Sequence, residues 1–504
     1  MRRSVVRAAA AVGGLLLVAA PLHAQGFHVR LDTWFQSMTY RGIALDSVPA
    51  SDVTTGSTGG FLSPDGIATR CRTGAAYCTF FRPGPEQRGS PLVTTVSASV
   101  WGLGQPGLRI HIRGRAGADL ADPNVWPATS PAVQLLEGYA EYQNRLLTVQ
   151  AGRTHVFSRL GWTGFDGAQA TVRPLRGLVR VSAFGGWRLA EGVALPVTSP
   201  DINPLADFRP PDREVVFGAA AGVASNTLDA RVIWQREVNP DAGHTAGNRG
   251  AFEATLRPGS GVTVSGGIEY DFAAAVAGTR DLRVAFRDPR HRFQVEVGGR
   301  HYRPYFPLWS IWRAFSPVAY STYYGAAVAY PMAGLEVRAR GESYRYDDAA
   351  AETPLVAAED GGWRWSAGAA YAGVRNFVFN GSYHITFGPG ASARGFRGQV
   401  AYRAHRRVTV SAHGGYLSRP LEFRFDDANV WSYGARVDAR PTAGLSVNAE
   451  VVLYDETRER PDQAQFAWNQ PRINIGATLV FGSGSDSRGL HPAILRIPDA
   501  RRSR

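Results

Sequence analysis

Apolar and polar residues alternate along many short segments of this chain, and the last of these segments shows the pattern most clearly. In residues 472–481, Ile473, Ile475, Leu479 and Phe481 fall on one face, while asparagine, glycine and threonine occupy the positions between them. A repeat of two residues is the period of a β-strand. The segment is therefore predicted to be a strand of about ten residues that ends in an aromatic ring.

A strand of this length and texture suits a tilted crossing of the outer-membrane hydrocarbon layer, with the ring at the interface. The segment resembles the closing strand of a Gram-negative outer-membrane β-barrel. A strand that faces lipid must still have every backbone hydrogen bond made, so the sheet has to close and this strand should pair with the first one. An edge strand of a soluble β-sandwich is the alternative that this segment leaves open.

The same alternation begins at residues 27–41 and recurs to residue 481, with short turns and long loops in regular order. Gln105-Pro106-Gly107 is one of the short turns, and residues 42–90 form the first long loop. The pattern predicts about 22 strands, within a range of roughly 18 to 24. It favours an all-β fold, a single transmembrane antiparallel β-barrel with short periplasmic turns and long extracellular loops, since a soluble sandwich has no reason to keep that order.

Residues 1–24 show the pattern of a secretory signal peptide. Arginines at positions 2, 3 and 7 precede an apolar run that is too short to span a membrane. The barrel is predicted over residues 25–482, and residues 483–504 are predicted to be a disordered basic periplasmic tail. No plug-sized domain precedes the first strand, which disfavours a TonB-dependent receptor. The expected location is the cell outer membrane, and the expected partners are its lipid and the barrel-assembly machinery.

The net charge of +13 is carried by arginine, because the sequence contains no lysine. A GC-rich genome would also produce this bias. Arginine presents a planar, permanently charged group that suits carboxylate and phosphate. No basic stripe on a helix and no nucleic-acid module is present, so nucleic acid is not an expected partner.

If the apolar parity faces lipid, the opposite parity directs many arginines into a water-filled lumen. Acidic residues on adjacent strands indicate that some of these arginines form cross-strand pairs that hold register, and a role in conduction is the alternative. Because arginine exceeds acid among the predicted lumen residues, a mild anion preference is expected. The predicted anion path comprises Arg109, Arg113, Arg115, Arg283, Arg287, Arg300, Arg338, Arg340, Arg397, Arg403, Arg436 and Arg440.

The long first loop contains the only two cysteines, Cys71 and Cys78. In an oxidising compartment a disulfide is expected, and closing so short a loop contributes roughly 2 to 3 kcal/mol. A metal site is the weaker interpretation, because no further cysteine or histidine lies close by in sequence. A barrel of this size would be wide if empty, so residues 42–90 are the candidate for narrowing the lumen.

The richest aromatic cluster lies at residues 305–315. Its rings could stack on sugars or apolar solutes, or could belong to the interfacial girdle.

Two sets of residues are candidate enzyme sites. Asn380, Ser382 and His384 alternate along one strand and superficially suit a hydrolase, but they face the lumen, whereas a lipid-cleaving site needs the lipid side. The acidic pairs at positions 347–348, 359–360 and 426–427 could form a protease-like rim site, although acidic loop tips are usually just solvated. The protein is not expected to be an enzyme, and no cofactor or metal is predicted.

Three segments, 137–142, 147–153 and 165–168, have the sequences EGYAEY, LTVQAGR and FDGA. Together they resemble a strand-turn-strand-loop-strand pattern of alginate-export-like porins. That resemblance implies a barrel that passively conducts an anionic polysaccharide through an arginine-lined pore. Matching by position reaches only Arg153, and strand parity places this residue on the lipid side unless a bulge intervenes at Gly152.

These observations predict an outer-membrane porin for passive diffusion of small polar or anionic solutes. The alternatives are a substrate-selective sugar or polysaccharide porin and a non-conducting structural or surface-binding barrel. The pattern is compatible with an oligomer.

Overall fold

A computed structural model describes residues 26–56, 60–121, 132–189, 214–241, 243–303, 305, 319–347, 360–388, 393–418, 428–458 and 467–483. The predicted signal peptide lies outside these residues, as does the predicted tail except for Ser483. Nearly all of the described chain is β-strand. The strands are β1 Gly26–Pro49, β2 Thr54–Thr55, β3 Phe61–Leu62, β4 Ala68–Thr69, β5 Tyr77–Gly89, β6 Pro91–Trp101, β7 Leu108–Asp119, β8 Val133–Gln143, β9 Leu147–Ser158, β10 Gly161–Val172, β11 Val179–Arg188, β12 Val215–Ala224, β13 Leu228–Asn239, β14 His244–Gly259, β15 Val262–Asp271, β16 Val276–Arg287, β17 Phe293–Tyr302, β18 Tyr320–Met332, β19 Leu335–Tyr346, β20 Gly361–Tyr371, β21 Phe377–Phe387, β22 Ala393–His405, β23 Val408–Ser418, β24 Ala428–Ala439, β25 Leu445–Arg458 and β26 Trp468–Ser483.

Helix is confined, in the described residues, to two 3-10 turns, at Ala50–Asp52 and Leu175–Gly177. In the described residues, no helix is long and apolar enough to cross a membrane.

Strand β1 and strands β6 to β26 form a closed antiparallel barrel of 22 strands. Each strand pairs with the next along the chain, and β26 returns to β1, where Phe481 lies opposite Val29 and Ile475 opposite Phe35. On its other side β1 pairs with β6, from Gly26 opposite Trp101 to Phe35 opposite Leu92. Closure leaves no free edge in the barrel wall, as a sheet in lipid requires. The predicted fold and the pairing of the last strand with the first are confirmed.

The outer surface carries the apolar parity of the strands. Side chains such as Ile110, Val232, Leu282 and Ile475 are exposed on this face. Aromatic rings pack in cross-strand groups at both ends of it, which is the arrangement of an interfacial girdle. At the short-turn end these groups are Phe27 with Phe481, Phe286 with Phe293 and Phe377 with Tyr402, and at the opposite end they are Trp363 with Phe387, Phe217 with Trp234, and Phe396 with Tyr416 and Trp431.

The connections at the two ends of the barrel differ in length, but less uniformly than the sequence pattern predicts. At the end where β1 begins, the turns are all short, as between β12 and β13 or β18 and β19. At the other end, β9 and β10 are joined by Arg159 and Leu160 alone, β13 and β14 by residues 240–243, β15 and β16 by residues 272–275, and β21 and β22 by residues 388–392. The expectation that every connection at this end is long is therefore wrong at these four places. At the first of them, residues 154–165, expected to be loop, are largely strand.

The long first loop is mainly β-structure. Beyond Met38, β1 continues as the partner of β5 to form a projecting hairpin, and β2, β3 and β4 form a small separate sheet. Val48, Ile67, Cys78 and Phe80 make a core of their own there. The Cys71 and Cys78 sulfurs are bonded at 1.99 Å. In the described part of this loop, the apolar cluster joins residues of the loop itself. That residues 42–90 narrow the lumen stays a prediction.

Candidate functional site in the barrel lumen

The β9–β10 hairpin leaves the barrel wall and turns into the lumen. β9 pairs with β8 only up to Arg153, opposite Gly138, and β10 pairs with β11 only from Phe165 onward. Residues 155–164 therefore pair in the barrel sheet only with each other. Gly152 has φ of +127°, and a Cβ at this position would collide with the backbone of Gly138. The glycine lets β9 bend away from its neighbour at the point where their pairing ends.

The hairpin lies against inward-facing residues of β13 to β16. Thr163 Oγ1 donates a hydrogen bond to Gln235 Oε1 at 3.1 Å. Arg231 Nη1 donates to the Phe157 carbonyl at 3.3 Å. At the tip, the Arg159 guanidinium bonds the Asp281 carboxylate and lies 3.7 Å from Glu269 Oε1. These contacts place the tip across several strands of the inner wall.

An apolar cluster lies between the hairpin and this wall. Phe165 is fully buried and stacks on Phe184, with ring centroids 5.7 Å apart. Leu160 at the tip is buried in the same cluster. Burying a Leu or Phe side chain stabilises by about 1.5 to 3 kcal/mol, so the cluster holds the hairpin in place. Its remaining buried members are Val216, Ala220, Ile233 and Ala251.

A charged cluster fixes the rim beside the hairpin. Arg188 Nη1 lies 2.7 Å from Glu214 Oε2 and 3.0 Å from Glu237 Oε2, and all three side chains are buried. The Arg249 guanidinium stacks over the Tyr305 ring at 3.8 Å and donates to the Leu160 carbonyl at 3.4 Å. Burial raises the pKa of Tyr305 to about 12. Tyr305 is the described member of the aromatic segment 305–315.

The opposite face of the hairpin is open. The Phe157 side chain is 74% exposed, and Trp162 is also exposed, with His155 6.0 Å from its ring. The packed face of the hairpin covers the wall from β10 to β16. The open lumen is therefore bounded by the exposed face of the hairpin, with Phe157 and Trp162, and by the remaining strands.

On the β7 and β8 wall, Arg109, Arg113 and Arg115 share one face. Arg109 donates to Ser99 Oγ at 3.0 Å, and Arg115 donates to Gln134 Oε1. Arg113 lies 3.2 Å from Glu137, and its side chain is 48% exposed against 15% for the carboxylate. The guanidinium therefore extends further into water than its acidic partner.

The β16 to β20 wall repeats this arrangement. Arg283 Nε donates to Ser265 Oγ at 2.6 Å. Arg340 lies 3.2 Å and Arg364 3.3 Å from Glu342. The Arg340 side chain is 45% exposed and that of Glu342 15%. Arg338, 49% exposed, lies 4.0 Å from Glu336.

The other predicted lumen arginines lie at different depths. Arg397 and Arg436 line a cavity of about 660 Å³ on the inner wall of β21 to β26, where Arg436 pairs with Asp438 at 2.8 Å. Arg300 stacks over the Tyr302 ring at 4.6 Å. The remaining arginines, Arg287, Arg403 and Arg440, lie at the short-turn end, where their backbone amides bond residues of neighbouring turns. The structure thus spreads the predicted set along the lumen rather than gathering it at one point.

Arg153, reached by position from the alginate-export-like resemblance, does not join this set. The register of β9 with β8 is continuous through Gly152, so no bulge turns Arg153 inward. It pairs with Asp166 in a two-bond geometry, at 2.7 Å for each bond, on the parity that faces outward. The salt bridge joins β9 to β10 at the base of the inward hairpin.

The candidate hydrolase residues do not form a catalytic arrangement. Asn380 Oδ1 accepts a hydrogen bond from Arg338 at 3.4 Å. Ser382 and His384 share the inward face of β21, but no hydrogen bond joins them among the contacts of the described residues. Of the acidic rim pairs, Asp348, Glu359, Asp426 and Asp427 lie outside the described residues.

The sequence analysis missed the hairpin, including Arg159 at its tip. A signal was present, because Phe165, Phe184, Val216 and Ile233 are apolar at positions whose parity points into the lumen. Apolar residues on a wet face indicate that another segment covers them.

Comparisons with known proteins extend the description of the fold. No family model and no curated protein matches the chain. The siderophore receptor PirA from Pseudomonas aeruginosa is 9% identical, with 90% of this chain and 80% of that chain covered and a TM-score of 0.50. A BenF-like porin from Pseudomonas fluorescens Pf-5 is 10% identical, with 91% and 99% covered and a TM-score of 0.41. P. aeruginosa OpdK, solved with vanillate, is 9% identical, with 90% and 99% covered and a TM-score of 0.37.

At these identities the likeness to solved structures concerns the fold alone. The resemblance to alginate-export-like porins gains no support from the comparisons and rests on the sequence segments that suggested it. A closed barrel of 22 antiparallel strands, with an apolar outer belt and aromatic rings at both ends of that belt, is the architecture of an outer-membrane protein.

Proposed function

We propose that this barrel is an outer-membrane channel for the passive diffusion of small polar solutes, with a preference for anions. The observation that carries the proposal is the unequal exposure of two charged pairs on the open inner wall. The Arg113 and Arg340 side chains are about three times as exposed as their partners Glu137 and Glu342. At these two pairs a solute in the channel therefore meets the guanidinium group before the carboxylate.

The physical basis of the anion preference is field focusing by the low-dielectric wall of lipid and protein. A guanidinium about 10 Å from the ion path changes the energy of a monovalent ion by roughly 0.4 kcal/mol in water, and by about a third of that at 0.1 M salt. The preference is then the sum of many small contributions. Arg338 and Arg340, both nearly half exposed, are among the larger ones.

The test is single-channel recording in planar bilayers under a KCl gradient. Wild-type protein should give a reversal potential that favours chloride. The double variant Arg338→Gln and Arg340→Gln should lower the chloride-to-potassium permeability ratio by roughly two- to threefold, because anion and cation energies shift in opposite directions. Arg145→Gln is the matched control, since Arg145 is exposed in the turn between β8 and β9. An equal reversal potential in wild type and double variant would refute the role of these two arginines.

A non-conducting barrel is the second candidate, and the packing of the hairpin against the inner wall is the observation that favours it. If the hairpin and the loops close the lumen, correctly folded protein should produce no current steps. A substrate-selective sugar or polysaccharide porin would instead conduct ions and be blocked by its substrate. The same recordings therefore separate the candidates.

A further inference from the structure

Three tyrosines form a row across adjacent strands at the loop end of the inner wall. Tyr302 of β17 lies opposite Tyr320 of β18, which lies opposite Tyr346 of β19. The ring centroids of neighbours are 5.3 Å and 5.6 Å apart. All three rings are partly exposed. Their parity is that of Arg338 and Arg340, so the tyrosine row faces the lumen at its mouth.

A fourth tyrosine, Tyr344, supports the tyrosine row from below. Its ring is 2% exposed and lies 6.3 Å from Tyr320 and 5.9 Å from Tyr346. The Tyr344 hydroxyl donates to the Phe387 carbonyl at 3.1 Å, which fixes the ring. In contrast, the hydroxyls of the tyrosine row make no hydrogen bond among the contacts of the described residues. They remain available as donors and acceptors for a ligand.

Guanidinium groups lie directly beside these rings. Arg300 stacks at 4.6 Å over Tyr302, and Arg364 stacks at 4.4 Å over Tyr344. Stacking on a ring face holds a guanidinium plane and leaves the N–H donors at its edge accessible to an anion. Arg364 gives one of these donors, at Nη1, to Glu342 Oε1 at 3.3 Å. Arg300 forms no ion pair within 4 Å in the described part of the chain. Asp281 lies opposite it in the strand register, but that carboxylate is bonded to Arg159, so the Arg300 guanidinium keeps its N–H donors for a ligand.

The geometry of the rings restricts the ligand. Neighbouring planes in the tyrosine row are inclined by 49° and 62°, so they do not form a parallel slot for a flat aromatic molecule. Inclined rings instead present a curved surface with electron-rich faces, and these faces attract the polarised C–H groups of a non-planar ring. The free hydroxyls can bond ring hydroxyl groups, and Arg300 can bond a carboxylate.

We propose that the tyrosine row, with Arg300 and Arg364, binds an acidic sugar at the mouth of the lumen. The sugar ring would lie on Tyr320 at the centre of the row, with its carboxylate toward Arg300. This inference rests on the proposed function, because it treats the lumen as the path of the solute. It adds a class of solute and an entry site on one sector of the wall.

The test compares galacturonate, galactose and benzoate as probes. Binding to the folded, detergent-solubilised protein is measured by ligand-observed NMR, and block of single channels is measured in bilayers. Galacturonate should bind and cause brief closures. Galactose has the same ring without the carboxylate and should bind at least fivefold more weakly, since the charge-assisted bond to Arg300 is missing. Benzoate should bind more weakly than galacturonate.

Tyr320→Ala should weaken galacturonate binding by roughly five- to tenfold through loss of the central ring face. The matched control is Tyr323→Ala on the same strand, because the Tyr323 side chain faces outward and is 73% exposed. Arg300→Gln should reduce the affinity for galacturonate toward that for galactose. Circular dichroism of each variant checks that the barrel is folded.

Several outcomes would overturn the site. These are equal affinities for galacturonate and galactose, an undiminished affinity in Tyr320→Ala, an equal loss in Tyr323→Ala, or tighter binding of benzoate through Tyr320. The proposed function fails separately. Protein that gives no current in bilayers but still binds galacturonate through Tyr320 would refute conduction and support the site. A barrel that conducts but does not bind galacturonate would refute the site and support conduction.

Discussion

The most direct test of the inward hairpin is removal of the charge at its tip. The Arg159 side chain is 14% exposed and contacts two carboxylates, Asp281 and Glu269, whose side chains are 32% and 20% exposed. In Arg159→Gln a shorter, neutral amide replaces the guanidinium, so the positive charge and most of its N–H donors are lost. The two acids are then left side by side against the wall without a cation between them.

The size of the effect follows from the degree of burial. Breaking a buried ion pair costs about 3 to 5 kcal/mol, and breaking an exposed pair costs about 0 to 1 kcal/mol. The exposures of Arg159 and its partners lie between these limits, so about 2 kcal/mol is expected. That energy changes an equilibrium roughly 30-fold. Leu160 and Phe165 still pack against the wall in the variant, so the hairpin should remain docked most of the time.

Single-channel recording measures this equilibrium as the frequency of openings to a larger conductance level. Arg159→Gln should increase the occupancy of the larger conductance level about 30-fold, which is the change in equilibrium that about 2 kcal/mol produces. The charge exchange Arg159→Glu with Asp281→Arg should restore part of the pairing and bring the occupancy back toward wild type. Arg145→Gln, in an exposed turn, is the control. If the two single-arginine variants have the same level occupancy, the tip contact does not hold the hairpin and the reasoning is wrong.

Three further predictions address the loop, the lumen core and the rim. Replacing Cys71 and Cys78 by serine should destabilise the projecting loop by about 2 to 3 kcal/mol, seen as faster proteolysis of this loop, while the heat-modifiable migration of the barrel on gels stays unchanged. Phe165→Ala should lower the free energy of unfolding by about 3 to 5 kcal/mol, whereas Phe157→Ala, at a 74% exposed side chain, should have little effect in the same urea titration. Because the pKa of Tyr305 is raised from 10 to about 12, the folded state holds its proton longer than the unfolded state, and the free energy of unfolding should fall as pH rises from 10 to 12. Tyr305→Phe should flatten that fall, and an identical alkaline profile in both proteins would contradict it.

The barrel could be predicted from the sequence because a strand in lipid has few choices. Each strand must alternate, each backbone group must pair, and the sheet must close, so the pattern of residues 472–481 already indicates its partner at the other end of the chain. The same parity placed Arg338 and Arg340 on one face of β19. These inferences needed only the order of apolar and polar residues.

The hairpin could not be predicted in the same way, because the rule behind the parity fails once a strand leaves lipid. In residues 154–165 both faces contain apolar residues, with Val156 and Phe165 on the packed side and Phe157 and Trp162 on the other. In this segment, the alternation of apolar and polar residues does not indicate which face of the strand meets water. The loop of residues 42–90 misled for a different reason, since its glycine and proline content hid the strands that extend β1.

The sector of the inner wall that the hairpin covers also determines which residues a solute in the lumen contacts. From β11 to β14 the inward positions include the apolar residues Phe184, Val216, Ala220 and Ile233. The charges buried beside them, on Arg188, Glu214 and Glu237, are paired with one another. The strands beyond β16 present guanidinium and carboxylate groups at these positions, and covering them would remove charges from water at a cost of several kcal/mol each. The hairpin is therefore confined to the apolar sector by desolvation. The arginines and the tyrosine row are left facing the open lumen as a consequence of the same distribution of residues.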